Sequence, residues 1–252
     1  MSDSLPYAGQ VAIVTGGAGA IGGALTRALL RAGATVICAD HASPGAAPEA
    51  GLHTVALDVT RPSEVKRLFD EVVATQGRLD LLVNVAGVVS FGAAATLDEQ
   101  EWDRVLDVNL KGTFFCCQAA IEPMRRRRYG RIVNLGSVVG KNAGNARPWL
   151  KPAEQERASN AAYGASKAGV HAITGFLAKE LAAHGITVNA VAPGPIATAM
   201  TTDFPDALRA LIPVGRMGAV DDVVRAILFL GSRDNGFING EVLDVNGGMW
   251  CD

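Results

Sequence analysis

Short apolar runs of strand length alternate with longer amphipathic stretches along nearly the whole chain, and this alternation narrows the possible folds more than any other feature. The strand-like runs are Val11–Thr15, Val36–Ala39, His53–Asp58, Leu79–Asn84, Arg131–Gly136, Thr187–Ala192 and Glu241–Val245. Between them lie Ile21–Ala32, Pro62–Gln76, Asp98–Arg125, Tyr163–His184 and Val220–Gly231, whose apolar residues follow helical spacing. Strand and helix in turn predict a parallel sheet covered by helices on both faces. Seven runs in series suit an α/β, Rossmann-type, doubly wound sheet of about seven strands, and an eight-stranded barrel is the competing architecture at this length. No repeat period or compositional break divides the chain, so residues 1–252 are expected to form one domain. Lys141–Asn160 and Pro193–Pro213 carry no regular pattern, and long irregular stretches of this kind tend to be functional.

Charge and cysteine usage remove several function classes. With 23 Lys and Arg against 25 Asp and Glu, the net charge of −2 predicts no general affinity for nucleic acid or anionic membranes. Cys38, Cys116, Cys117 and Cys251 show no metal-ligand spacing, so reduced thiols, a cytoplasmic location and no metal site are expected. The opening MSDSLPYAGQ has neither a basic nor an apolar stretch of the kind a secretion signal needs.

The first strand runs into Thr15-Gly16-Gly17-Ala18-Gly19-Ala20-Ile21-Gly22, which opens a helix. Glycines at such a turn let backbone N–H groups approach a pyrophosphate, and the helix N-terminus adds its positive end. Asp40 follows Gly22 by 18 residues at the end of the second strand. A carboxylate there can accept hydrogen bonds from an adenosine ribose and would repel a 2′-phosphate, so NAD is expected over NADP.

Tyr163 and Lys167 lie four apart in Tyr-Gly-Ala-Ser-Lys, on one face of a predicted helix. An ammonium beside a phenol favours the phenolate, so Lys167 is expected to lower the Tyr163 pKa from about 10 and make a proton donor and acceptor usable near neutral pH.

Taken in order, Thr15 to Gly22, Asn84-Val85-Ala86-Gly87, Asn109, Ser137, Tyr163 with Lys167, and Pro193-Gly194 resemble the motifs of the short-chain dehydrogenases/reductases, from about Gly9 to Gly248. The resemblance implies a cofactor loop at Gly16, Gly19, Ala20, Ile21 and Gly22, with Ala20 where the family has its middle glycine. It implies that Asp58 and Val59 flank the adenine, and that Asn84, Ala86 and Gly87 line the cofactor, Val85 replacing a second asparagine. Pro193, Gly194, Ile196 and Thr198 then resemble the segment that holds the nicotinamide carboxamide. The implied catalytic group has Tyr163 moving the proton and Lys167 tuning it while holding the nicotinamide ribose. Ser137 binds the substrate oxygen, and Asn109 holds a water that links Lys167 to solvent.

Hydrolysis fits poorly beside this. His41, His53, His171 and His184 are not expected to reach Ser137 as a base, and no Gly-x-Ser-x-Gly elbow occurs. Family members have about a dozen residues between serine and tyrosine, whereas Ser137 and Tyr163 are 26 apart. An inserted loop near 146–158 is therefore expected at the cleft mouth, bringing Arg147, Trp149 and Lys151 toward substrate or a neighbouring subunit. A lid is expected over 198–213. Arg125–Arg128 is read as a solvated helix end, where cations meet the helix dipole. Val220–Gly231 and Glu241–Val245 resemble the family's tetramer-forming helix and strand, so a homotetramer is expected, with the tail Gly248–Asp252 at a subunit interface. The expected activity is hydride transfer between NAD(H) and a secondary alcohol or its ketone, first a sugar, polyol or cyclic alcohol. Reduction of 3-oxoacyl thioesters is the alternative, set against the general preference of such reductases for NADPH. A non-catalytic NAD sensor is the reading from another class.

Overall fold

The computed structural model describes residues 5–42, 49–144, 156, 158–201 and 206–251. Seven strands pair in the order β3-β2-β1-β4-β5-β6-β7, and every pairing is parallel. They are β1 (Val11–Thr15), β2 (Thr35–Asp40), β3 (Leu52–Ala56), β4 (Leu81–Asn84), β5 (Gly130–Leu135), β6 (Ile186–Pro193) and β7 (Val242–Val245). The sheet is open, with β3 and β7 at its edges, so the barrel alternative is excluded. The strand order reverses between β1 and β4, and ligands of such sheets bind where that reversal opens a crevice beyond the carboxyl ends.

Alternation along the strands builds two cores. Val11 and Ile13 of β1 face one side, with Leu82, Ile132 and Val188 from neighbouring strands. There they meet Phe69 of α2 (Pro62–Gln76), Cys117 and Met124 of α4 (Thr113–Arg127), and Leu177 of α6 (Ala161–Leu181). Ala12 and Val14 face the other side with Val83 and Val133, under Leu25 and Leu29 of α1 (Ala20–Arg31) and Ile227 of α8 (Val220–Gly231). Burying each of these larger side chains stabilises the fold by ~1.5–3 kcal/mol. Cys116 and Cys117 sit fully inside the first core, which pushes both thiols far up from their ordinary pKa and leaves them unreactive. Among the described residues, no helix is long and apolar enough to cross a membrane, and no group of three His, Cys, Asp or Glu side chains is placed to hold a metal.

Helix ends follow local chemistry. In α2, Pro62 occupies the first turn, where its missing N–H is no loss, and Gly77 closes the helix in the left-handed region at φ +72°. Asp98 caps α3 (Glu99–Leu106) by accepting the Glu101 N–H at 2.7 Å.

Several boundaries differ from the sequence expectation. The helix expected over Asp98–Arg125 is three pieces: α3, a π-helical turn at Asp107–Gly112, and α4. Gly112 permits the break, since a Cβ there would stand 2.8 Å from Val59 Cγ2, and the Thr113 hydroxyl donates to the Asn109 carbonyl at 2.7 Å. β3 ends at Ala56 rather than Asp58, because Asp58 turns to accept both the N–H and the hydroxyl of Thr60. Lys141–Asn160 is not wholly irregular: its start belongs to the one-turn helix α5 (Val139–Asn142). Residues 145–155 and 157, which hold most of the expected insertion with Arg147, Trp149 and Lys151, lie outside the described residues. Pro193–Pro213 contains the end of β6, a 3₁₀ turn at Ala199–Thr201 and α7 (Asp206–Arg209), while residues 202–205 of the expected lid lie outside the description.

Candidate active site

At the carboxyl end of β1 the chain must turn sharply between two close-packed layers. Gly16 takes φ +65°, and a Cβ on it would lie 2.7 Å from the Ala86 nitrogen. A Cβ on Gly22 would lie 2.1 Å from the Gly16 carbonyl oxygen. Only glycine fits at either position. Ala20, where the resemblance has a glycine, is not among the residues of positive φ, so its methyl group is tolerated. Gly19 opens α1 with no side-chain cap and no acidic residue in the first turn, and Ala18, Gly19 and Ala20 are exposed. The positive end of α1 therefore meets no side-chain cap and no acidic residue of its own first turn.

Asp40, at the end of β2, accepts the Ala18 N–H on Oδ2 at 3.0 Å. The loop thus fixes one carboxylate oxygen and leaves the other open to the cleft edge. Asp58 is half-buried; Thr60 and Arg61 hold its carboxyl below the usual carboxylate range, the Thr60 hydroxyl bond being the largest cause. Val59 beside it is buried against Gly112.

Register brings Thr15, Asn84 and Asn134 into one row across β1, β4 and β5. The Thr15 hydroxyl accepts the N–H groups of Val85 and Ala86. Asn84 donates to Asn134 at 2.9 Å, and Asn134 donates to Thr174 of α6 at 3.0 Å. This buried chain ties the strand carrying the Asn84–Gly87 motif to the helix carrying Tyr163 and Lys167. Asn134 and Thr174 escape a motif search because their roles depend on how strands and helix meet.

Above that row the expected catalytic residues converge. A Cβ on Gly87 would stand 3.2 Å from Asn109 Oδ1 and 3.5 Å from Lys167 Nζ, so all three residues wall one spot. Lys167 is 4% exposed, donates to the Leu135 carbonyl at 2.7 Å, and lies 5.9 Å from the centroid of the Tyr163 ring. The Ser137 side chain stands near enough to the Tyr163 phenol to favour its ionised form. It also accepts the Val139 N–H at 3.2 Å, which leaves its proton free to donate. Pro193 and Gly194 end β6 beside Asn246, and Ile196 pairs with Gly218. Thr198 is held by its N–H on the Thr201 hydroxyl at 2.9 Å.

The expected tuning of Tyr163 by Lys167 needs correction. The Tyr163 pKa lies above its ordinary value rather than below it, because burial of the phenol outweighs the lowering bond from Ser137. Burial also pulls Lys167 down, to about 8, so its charge is itself strained rather than a strong lever on the phenol. Asn109 spends both amide hydrogens on the Val88 carbonyl (2.9 Å) and the Ser166 hydroxyl (3.0 Å), and its oxygen accepts the Val88 N–H (2.7 Å). Its amide is a brace for the loop after β4. His171 does reach Ser137, though not as a base: Nε2 accepts the Ser137 backbone N–H at 3.4 Å. Its position one turn beyond Lys167 was the available signal, and the sharp turn after Gly136 completes the approach.

The residues present fit a dinucleotide. An uncapped helix end faces the crevice, the glycine backbone is packed too tightly for a side chain, and a pre-fixed carboxylate stands at the ribose end. A lysine, a tyrosine and a serine stand beside Gly87 at the other end.

Comparison with known proteins agrees with this geometry. A family model described as enoyl-(acyl carrier protein) reductase matches residues 16–250. The chain is 38% identical over 253 residues to the 3-oxoacyl-(acyl-carrier-protein) reductase FabG of Thermotoga maritima, covering 96% of this chain and 98% of that protein. It is 35% identical over 253 residues to the protein of the same name from Escherichia coli, covering 97% and 98%. Among solved structures, the one titled "Crystal structure of gox2181" superposes with a TM-score of 0.85 at 36% identity, covering 98% of this chain and 97% of that one.

Proposed function

We propose that this chain, which belongs to the short-chain dehydrogenase/reductase family, reduces the 3-oxo group of an acyl thioester to the secondary alcohol and prefers NADH as its reductant. As a member of that family it is an oxidoreductase with a nicotinamide cofactor. The observation that carries the reading is the cluster of Ser137, Tyr163 and Lys167 beside Gly87. The names of the relatives support the thioester substrate over the sugar, polyol or cyclic alcohol first expected from the sequence.

When bound, the nicotinamide group supplies the hydride that reaches the carbonyl carbon. Ser137 donates a hydrogen bond to the carbonyl oxygen, with the Val139 N–H orienting the hydroxyl. Tyr163 gives its proton to the same oxygen as the negative charge develops there. A phenol whose pKa is raised stays protonated at neutral pH, so Tyr163 holds the proton that reduction consumes. Lys167 is mostly charged at pH 7, stabilises the phenolate left behind and reaches toward the spot walled by Gly87. Asn109 keeps the loop at Val88 in place.

NADH is preferred because Asp40, held by the Ala18 N–H, puts a fixed negative charge where a 2′-phosphate would sit. The pairs Asp58 with Val59 and Ile196 with Thr198 take the adenine and carboxamide roles that family membership suggests. Residues 198–213 act as a lid, its far end anchored where Ile212 is buried and the Val214 N–H bonds to the Gly247 carbonyl. A homotetramer is supported by the open edge of β7 and by exposed Phe229 on α8.

The test is loss of NADH absorbance with a 3-oxoacyl thioester, run beside NADPH and beside a panel of alcohols with NAD⁺. Turnover on the thioester with NADH ahead of NADPH supports the reading. Turnover confined to polyols or sugars replaces the substrate, and tight NADH binding with no turnover on any substrate supports the sensor.

A further inference from the structure

α6 carries Tyr163 in its first turn, and its N-cap residue does more than cap. Asn160 Oδ1 accepts the Tyr163 N–H at 3.2 Å, as a cap does. Its Nδ2 donates to the Ser90 hydroxyl at 2.6 Å and to the Phe91 carbonyl at 3.2 Å. The backbones are joined as well, the Asn160 N–H bonding to the Ser90 carbonyl at 3.1 Å and the Gly92 N–H to the Ala158 carbonyl at 3.0 Å. Phe91 and Ser159 form an antiparallel bridge between these bonds. Ser90 and Asn160 are both buried, at 3% and 5% exposure. Ser90 passes its own proton to Glu101 Oε1, and Glu101 holds Arg104 through two bonds of 2.6 and 2.8 Å. Arg104 then donates back to the Val89 carbonyl at 3.2 Å.

The segment from Gly87 to Gly92 therefore hangs between two braces, Asn109 at Val88 and Asn160 at Ser90 and Phe91. One of these braces also sets the first turn of α6. We propose that Asn160, acting through Ser90, is a positioning residue that fixes Tyr163 relative to the loop lining the substrate side of the cleft. A capping side chain needs only an acceptor. Asn160 uses its acceptor on the helix and both donors on the loop, so displacing either one moves the other. The inference rests on the reductase reading, in which the distance from Tyr163 to the substrate oxygen sets the rate, and small misplacements of such groups cost large factors.

Three variants separate the roles. Asn160→Ala removes cap and brace together. Asn160→Asp keeps an acceptor for the Tyr163 N–H but cannot donate to Ser90 or Phe91. Ser90→Ala leaves the cap and removes one partner of the brace. The expected result is a kcat lowered by about tenfold or more in both Asn160 variants and by severalfold in Ser90→Ala, with KM for NADH within about twofold. Hydrogen exchange should quicken over residues 88–92 in all three variants and stay unchanged over β7 and α8. Rescue of kcat to the wild-type value by Asn160→Asp would reduce Asn160 to a helix cap and overturn the proposal, as would unchanged exchange over 88–92. Should Asn160→Ala fail to fold, Ser90→Ala and Asn160→Asp decide by the same readouts. A wild-type protein with no turnover on any thioester or alcohol refutes the reductase reading, while the exchange data still judge the brace.

Discussion

The two rims of the sheet bond their buried charges to very different degrees. At the amino-terminal rim, Asp80 is wholly buried and accepts from the Val11 N–H at 2.9 Å and from Arg78 at 2.6 and 2.7 Å. Arg131, at 5% exposure, donates to the carbonyls of Gly130, Gly185, Ser232 and Arg233, and its guanidinium stacks 4.7 Å from the Tyr129 ring centre. At the carboxyl rim, Lys167 is equally buried but has one hydrogen bond, to a main-chain carbonyl, where Arg131 has four, and its pKa falls to about 8. Tyr163 next to it is displaced upward. Buried ionisable groups held by several hydrogen bonds hold a structure together, whereas thinly bonded ones facing a crevice are where chemistry is expected. The difference teaches which rim to mutate for stability and which for rate.

The sharpest break between the rims is Tyr163→Phe. It should lower kcat by about 10³-fold or more while NADH affinity stays within a few-fold and the melting temperature barely moves. Next in size is Asp80→Ala, which strips Arg78 and the Val11 N–H of their partner and should destabilise the fold by about 3 kcal/mol in urea titration. Its kcat, measured on the folded fraction, should match wild type; a loss of rate with no loss of stability would dissolve the contrast. Third is a pH effect at the carboxyl rim. The Lys167 pKa falls from 10.5 unfolded to about 8 folded, so between those values the unfolded chain binds the extra proton. The cost of burying the charge is therefore fully present below about 8 and disappears as pH rises toward 10.5, so stability from this group climbs across that window. Lys167→Met should remove the climb in denaturant titrations at stepped pH. The smallest effect expected is Asp40→Ala, which should relax the preference for NADH over NADPH by about tenfold, read from the ratio of kcat/KM values.

Much of this was legible in the sequence. The order of apolar runs announced the doubly wound sheet, because strands buried on both faces must be apolar almost throughout. Thr15 to Gly22 announced its turn, because only glycine meets the steric demand at positions 16 and 22. The residues Tyr163, Lys167, Ser137 and Asn109 do gather at one place. What escaped depended on the third dimension. The π turn at Asp107–Gly112 shifts the helical phase by little enough that the apolar pattern of 98–125 passes for one helix. Spacing gave the proximity of Tyr163 and Lys167 but not their burial, and burial decided the sign of the tyrosine shift. Asn160 looks like an ordinary cap in sequence, since Ser90, its partner, is 70 residues away. His171 was not expected to reach Ser137, yet its Nε2 accepts the Ser137 N–H, a contact that only its spacing from Lys167 hinted at.

The double anchorage of residues 158–160 on residues 90–92 bears on how such a protein can diversify. On one side Gly144 follows α5, its N–H bonded to Asn142 Oδ1, and on the other Ala158 is pinned to Gly92. A change of sequence in the stretch between them leaves in place the hydrogen bonds that hold residues 158–160. That makes the stretch a natural place for evolution, or a protein engineer, to graft new recognition sequences onto an unchanged engine.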